Sequence, residues 1–224
     1  MKNAEETRWQ VRVGEESTTA ACDAPPTGLQ RGFYFLAHGA GGHMDHRNLV
    51  RESTIFRSLG LSVVRFNFTY RGTGRKYPDK MPQLMACYEA VVQSAREKFH
   101  PAHIFLGGHS MGGRVASMLA AEGFPCDGLV LLAYPLHPPG KTDQLRADHL
   151  PRITAPVLCI NGTRDNFCRT DVMARVAPTL PASFTHRWIE HADHSFAVRK
   201  KDGRDSKEVD GEIATALDTW LKRM

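Results

Sequence analysis

The chain has 224 residues, 42% hydrophobic and 24% charged, with a formal net charge of +5. This length suits one domain, 1–224, with a sizeable core, and the composition excludes a largely disordered body. The basic excess is mild and scattered apart from Arg199-Lys200-Lys201 and the stretch 71–80, with no basic helix stripe, nucleic-acid motif or interleaved aromatics, so nucleic-acid binding is not expected.

In chain order, residues 1–28 read as short strands and a loop. Met1 to Glu6 is polar and lacks an apolar leader core, Trp9-Gln10-Val11-Arg12-Val13 alternates, and Pro25-Pro26 with Gly28 marks a turn. A buried strand is expected over 32–37, a helix over 47–59, a strand over 61–68 and a polar loop rich in Gly and Pro over 70–82. Helical periodicity over 83–99 puts Leu84, Cys87, Tyr88, Val91, Val92 and Ala95 on one face. A strand over 102–107 is followed by a helix over 114–121, buried strands over 128–134 and 156–160, a strand over 185–189 and a closing helix over 207–222. Continuous apolar strands alternating with helices give a mainly parallel sheet with helices on both faces. The stretch from Tyr134 to Leu150 is too short for a cap domain, so an open site is expected.

No run reaches membrane-spanning length, so no membrane partner is expected. Five cysteines, at 22, 87, 126, 159 and 168, form no Cys-x-x-Cys pair, which fits a reducing cytoplasmic setting. Cys168 is read as a neighbour of the site and not as a nucleophile. Nothing in the sequence sets an oligomeric state.

The strongest motif is Gly108-His109-Ser110-Met111-Gly112, between a strand and a helix. Gly-x-Ser-x-Gly in that setting is the nucleophile elbow of the α/β-hydrolase fold. Its serine occupies a strained turn, and bulky flanking residues would clash. In this fold the acid and the base follow the serine in that order. Asp165 follows the apolar run Pro156 to Ile160, and His194 follows Thr185 to Ile189, so each falls just past a strand end, where such sheets collect their sites. His191 competes with His194 for the base, Asp171 and Asp193 compete with Asp165, and helix capping is the expected job of Asp171.

The oxyanion hole needs the amide after the nucleophile, Met111, and one from the loop His38-Gly39-Ala40-Gly41-Gly42. Ala40 is the first choice for that second donor and Gly41 the next. The loop lacks the Gly-Lys-Ser/Thr of a phosphate loop and the spacing of a dinucleotide fingerprint. His191-Ala192-Asp193-His194 lacks the His-Glu-x-x-His spacing of a zinc protease, and the expected chemistry needs neither metal nor cofactor.

The motif set resembles the dienelactone-hydrolase-like branch of the α/β-hydrolases. It is most similar to the subgroup containing the testis-expressed hydrolase-like proteins and the third subunit of the nuclear NSL acetyltransferase complex. Leu36 to Gly42, Arg65 to Phe68 with Tyr70-Arg71, Gly107 to Gly113, Tyr134 to Lys141 and Asn161 to Asp165 carry the likeness. The resemblance implies an α/β-hydrolase fold with Ser110 as nucleophile, Asp165 as acid and His194 as base. It implies no particular substrate, and it gives His43-Met44-Asp45-His46 no role.

The expected function is hydrolysis of a carboxylic ester or related acyl compound, a small molecule, through an acyl-enzyme. Tyr134, His137 and Tyr70 are candidates to line the substrate side because they lie on strand-end loops. The alternative is a catalytically weak hydrolase-fold binding or scaffold module. Retention of serine, acid, histidine and oxyanion loop together argues against it.

Overall fold

The computed structural model describes residues 6–26 and 28–224. Residues 1–5, which hold most of the polar start noted above, and residue 27 lie outside the described residues. Strands β1 (Glu6–Val13) and β2 (Glu16–Asp23) form a hairpin, followed by β3 (Gly32–Ala37), helix α1 (Arg47–Ser58) and β4 (Leu61–Phe66). Next come the short α2 (Thr69–Gly72), α3 (Met81–Phe99), β5 (Ile104–His109), α4 (Met111–Ala121) and β6 (Gly128–Leu132). The chain ends through β7 (Val157–Gly162), α5 (Thr170–Val176), β8 (Phe184–Ile189) and α6 (Ser206–Leu221).

The eight strands make one sheet in the order β1-β2-β4-β3-β5-β6-β7-β8. The β1–β2 and β2–β4 pairs are antiparallel, and every pair from β4 to β8 is parallel. From β3 the chain crosses to β4 on one side, and from β5 it continues to β6 on the other. The crevice past the ends of β3 and β5 is therefore a topological switch point, the place where open α/β sheets bind ligands. Between β6 and β7 the described chain forms only a 3-10 turn, Leu150–Arg152, so no helical cap covers that crevice.

The period of two along each strand explains the two cores. Phe33, Phe35, Ala37, Val64, Phe66, Leu106, Leu129 and Leu131 face α3, α4 and α5. Their neighbours Tyr34, Leu36, Val63, Phe105, Val130, Leu132, Leu158 and Ile160 face α1 and α6. Burying both faces requires apolar residues at every position, which is why these strands read as unbroken runs. Each fully buried leucine or phenylalanine contributes about 1.5–3 kcal/mol.

The stretch expected to be a polar loop over 70–82 departs from that expectation at both ends. Phe68 and Tyr70 are buried, α2 begins at Thr69, and α3 starts at Met81. The strand before it stops at Phe66, because the Asn67 side chain turns aside to accept the Met44 N–H at 2.8 Å. Similarly β6 ends at Leu132, with Ala133 in the left-handed region at φ 48°.

Arg65 is a cation in the middle of this sheet, its side chain 4% exposed. Asp23 receives its Nε at 2.7 Å and its Nη2 at 3.2 Å, Met44 O its Nη1 at 2.6 Å, Asp45 the same Nη1 at 3.0 Å, and Glu6 its Nη2 at 2.6 Å. Ser53 adds a hydroxyl to Asp23 at 2.9 Å. The network ties the hairpin, α1 and the loop after β3 to β4. It also gives His43-Met44-Asp45-His46 a structural account: Met44 is buried, Asp45 faces Arg65, and His46 caps α1. Removing one member of a buried, hydrogen-bonded ion pair leaves the other uncompensated. Arg65→Leu should therefore lower unfolding free energy by about 3–5 kcal/mol, read from the urea midpoint at unchanged slope. A loss below about 1 kcal/mol would place the network among the weak surface pairs.

Candidate active site

Ser110 sits between β5 and α4 with φ 53° and ψ −115°, a conformation few side-chain-bearing residues adopt. Its own N–H donates to Leu132 O at 2.8 Å, and its carbonyl accepts the Arg114 N–H at 3.1 Å. Two glycines make the turn possible. Gly108 has φ 150°, and a Cβ there would lie 2.5 Å from Ala37 O; a Cβ at Gly112 would strike the same carbonyl. Tyr88 reinforces the strand before the turn, accepting the Gly107 N–H at 2.8 Å and donating to Phe35 O at 2.8 Å.

The three residues expected from chain order meet. Ser110 Oγ lies 2.9 Å from His194 Nε2, and His194 Nδ1 lies 2.9 Å from each Asp165 oxygen. The Asp165 side chain is fully buried, while that of His194 is 26% exposed. Asp165 also accepts the Phe167 N–H at 2.8 Å and the Asn161 Nδ2 at 3.2 Å. With its carboxylate acceptors engaged, Asp165 fixes Nδ1 as the protonated nitrogen of His194 and leaves Nε2 free to accept from the serine. The Phe167 ring lies 4.3 Å from the His194 ring, and His109 packs edge-on at 5.5 Å.

The competing residues stand elsewhere. His191 is exposed beside Glu190. Asp193 holds its own loop, accepting from the Ser195 N–H and hydroxyl, both at 2.8 Å, and from the Ala197 N–H. Asp171 lies in the first turn of α5 but caps nothing through the N-cap position. It is exposed and paired with Arg169 at 2.9 Å. Cys168 is buried, and burial pushes its thiol well above the ordinary range, so it offers no thiolate.

Ala40 and Gly41 are exposed at the cleft, and Met111 opens α4 beside them. Two buried side chains set their peptide planes. His38 Nδ1 donates to Gly39 O at 2.7 Å and its Nε2 accepts the Phe68 N–H at 3.2 Å, while Tyr70 donates its hydroxyl to Ala40 O at 2.8 Å. A trans peptide points its N–H opposite its C=O. With the two carbonyls held by buried partners, the Ala40 and Gly41 N–H groups are turned away from those partners.

Three expected substrate contacts are corrected. Tyr70, Tyr134 and His137 are fully buried and do not line the cleft. Tyr70 holds the His38–Gly42 loop through Ala40 O. Tyr134 donates to Arg146 O at 2.7 Å. His137 accepts the Arg169 N–H at 3.2 Å and, through its own N–H, holds Phe167 O at 3.0 Å, so it braces the loop carrying Asp165 and Phe167. A strand-end position is shared by residues that face the crevice and residues that support it.

The cleft itself is about 640 Å³ and is lined on one side by the His38–Gly42 loop and on others by Leu84, Met111, Phe167, Arg114 and Arg146. Sequence reasoning does not point to the two arginines or His109: His109 and Arg114 adjoin the Ser110 motif, whereas nothing local to Arg146, in the β6–β7 connection, signals a place in the cleft. His109 Nδ1 meets the buried Glu52 at 2.7 Å. Burial presses its pKa down, but the Glu52 charge and hydrogen bond prevail and raise it. Among the described residues no group of three or more His, Cys, Asp or Glu side chains has the placement of a metal site, and no helix is long and apolar enough to cross a membrane.

Against known proteins, residues 30–222 match the family described as Alpha/beta hydrolase domain, and the chain belongs to that family. Solved structures with the same fold include an alpha-beta serine hydrolase homologue from Coxiella burnetii (16% identity, 97% of each chain, TM-score 0.77). A serine hydrolase without a lid from Xanthomonas campestris matches at 21% identity over 98% of this chain and 94% of its own, TM-score 0.77. A dienelactone hydrolase from Anabaena variabilis matches at 18% identity over 99% and 98%, TM-score 0.75. Human monoglyceride lipase is 31% identical over 105 residues, 43% of this chain and 32% of that protein, so the match spans about a third of the relative.

Burial also sets a pH limit on the fold. His38 is pulled from 6.5 down to about 4, chiefly by desolvation, and His149 and His186 are lowered to about 4 for the same first cause. The unfolded chain binds these protons near pH 6.5, the folded one near 4, so the stability from neutral His38 is present above 6.5 and lost as pH falls toward 4. His109, raised, works in the opposite sense but is one group against three. The melting temperature should fall steadily from pH 7 to pH 4.5, with His38 supplying up to about 3 kcal/mol. A flat profile would show that these histidines take up protons without cost.

Proposed function

We propose that this chain is a serine hydrolase that cleaves a carboxylic ester or related acyl bond through a Ser110–His194–Asp165 triad. The observation that carries the reading is the unbroken hydrogen-bond chain from Ser110 Oγ through His194 to Asp165, opening on an uncapped cleft. His194 Nε2 takes the Ser110 proton as Oγ bonds to the acyl carbon. The carbonyl oxygen gains the negative charge and is met by the Met111 amide together with that of Ala40, or Gly41 beside it. Such donors each supply about 3–4 kcal/mol of transition-state stabilisation. The tetrahedral species then expels the alcohol, which leaves with the proton from His194. A water, deprotonated by the same nitrogen, attacks the acyl-serine, and its collapse returns the acid product and free Ser110. Asp165 holds the imidazole in the needed tautomer and stabilises the imidazolium without itself taking the proton.

The capless cleft favours small or medium acyl groups over a long chain held in a tunnel. The Tyr134 to Lys141 run supports the testis-expressed and NSL-subunit-like subgroup of the family. The five free cysteines support a reducing, cytoplasmic setting. A small acyl compound is the partner this reading requires.

A fluorophosphonate probe should label Ser110, located by peptide mass spectrometry, and labelling should vanish on heat denaturation. Ser110→Ala and His194→Ala should each abolish labelling and ester turnover at an unchanged melting temperature. Asp165→Asn should cut turnover by about 10⁴-fold through the wrong tautomer. A folded protein that takes no label would turn the reading to the binding or scaffold module. Wild-type turnover by Ser110→Ala would remove the nucleophile assignment altogether.

Tyr70→Phe leaves the Ala40 carbonyl without its buried donor and frees the oxyanion-loop peptides to turn. It should lower kcat by about tenfold with little change in KM, the pattern of an interaction expressed in the transition state. An unchanged kcat would mean that the loop holds its shape without Tyr70.

A further inference from the structure

Two arginines line the cleft that holds Ser110. Arg114 is in the first turn of α4, its N–H on the Ser110 carbonyl; Arg146 comes from the β6–β7 connection. Both are half-buried. Among the described residues neither guanidinium has a carboxylate within ion-pair distance, and Arg114 Nε is buried without any hydrogen-bond partner. Asp79, the acid in the cleft lining, is already held by Arg75 and by Thr69, which donates to it at 3.0 Å.

The backbones of both arginines are locked to one buried cluster. Ser117 donates its hydroxyl to Arg114 O at 2.8 Å and meets His149 Nε2 at 2.8 Å, while Tyr134 donates to Arg146 O at 2.7 Å. Arg146 N–H in turn donates to Leu136 O at 2.8 Å. The two side chains are thus presented to the cleft from fixed points. Burial lowers the Arg146 pKa, and the charge of Arg114 lowers it further, so the two cations act on each other across the space. Like charges held together in a partly dry site are unfavourable alone and favourable with an anion between them.

We infer that Arg114 and Arg146 form an anion subsite, and that the substrate is an ester whose acyl part carries a carboxylate. The inference rests on the hydrolase reading for the word ester and on the two guanidinium groups for the charge. Two charge-assisted hydrogen bonds, lost in a neutral analogue, correspond to at least about a tenfold preference.

The test compares kcat/KM for 4-nitrophenyl hemiglutarate with that for 4-nitrophenyl pentanoate, a neutral ester of the same acyl length. The unmodified protein should prefer the anionic ester by about tenfold or more at low salt. Arg146→Met and Arg114→Met should each bring the ratio toward one, and Arg146→Lys should retain part of it. A ratio of one or below in the unmodified protein, or a ratio unchanged in both Met variants, overturns the subsite. A second measurement is independent of turnover: calorimetric binding of monomethyl glutarate and dimethyl glutarate to Ser110→Ala. Tighter binding of the monoanion, lost in the Ser110→Ala/Arg146→Met double variant, supports the subsite; equal binding of the two overturns it. The two readings fail separately. Turnover without charge preference removes the subsite and keeps the hydrolase, whereas selective binding of the monoanion without turnover of either ester keeps the subsite and removes the hydrolase.

Discussion

The close approach of α4 to β3 governs this molecule. Ser110 has a positive φ, and the backbone on either side of it must turn back within contact of the Ala37 carbonyl. Such a conformation costs about 1–3 kcal/mol and persists only where the surroundings over-determine it. Here the surroundings are Gly108 and Gly112, which have no Cβ to collide, and the Ser110 N–H bonded to Leu132 O. The turn aims the start of α4 at the crevice where β3 and β5 part. Everything else in the site is arranged around that fixed point: the His38–Gly42 loop at the end of β3, Asp165 past β7, and His194 past β8.

What the sequence made legible follows from this constraint. Ser110, Asp165 and His194 could be placed because each falls just past a strand end, and a parallel sheet puts such ends on one edge. The continuous runs were legible because both faces of these strands are buried. Periodicity stops short of the loops. Tyr70, Tyr134 and His137 also stand at strand ends, yet each turns inward to hold a carbonyl or an amide. Nothing local distinguishes a tyrosine that faces substrate from one that braces the loop that does. The buried Arg65 illustrates the same limit. A charged residue in a strand reads as an edge or an error until Glu6, Asp23 and Asp45, distant in sequence, are seen to converge on it.

The supporting residues form a second layer with its own chemistry. His38 and Tyr70 take the Gly39 and Ala40 carbonyls of the His38–Gly42 loop, so these two peptides are ordered without spending the Ala40 and Gly41 amides. At the loop of Asp165, His137 takes Phe167 O and the Arg169 N–H, and Asn161 donates to the Asp165 carboxylate. His38 is neutral because burial makes a charged ring too costly there, whereas His109 is held toward the charged form by Glu52. The site therefore rests on hydrogen bonds that need no countercharge on the side of the His38–Gly42 loop, with the His109 ring, bonded to Glu52, packed edge-on against His194.

Against that background the two arginines of the cleft stand apart. This fold satisfies a buried cation where it has one: Arg65 has three carboxylates and a carbonyl. Arg164, at the loop of Asp165, has Asp202 at 2.8 Å. Among the described residues Arg114 and Arg146 are left without an acid, and their backbones are fixed through Ser117, His149 and Tyr134. Desolvated charge without a partner is destabilising in the empty site. The arrangement makes physical sense when the missing negative charge arrives with the ligand, because the penalty already present in the folded protein becomes affinity for an anion and discrimination against its neutral analogue.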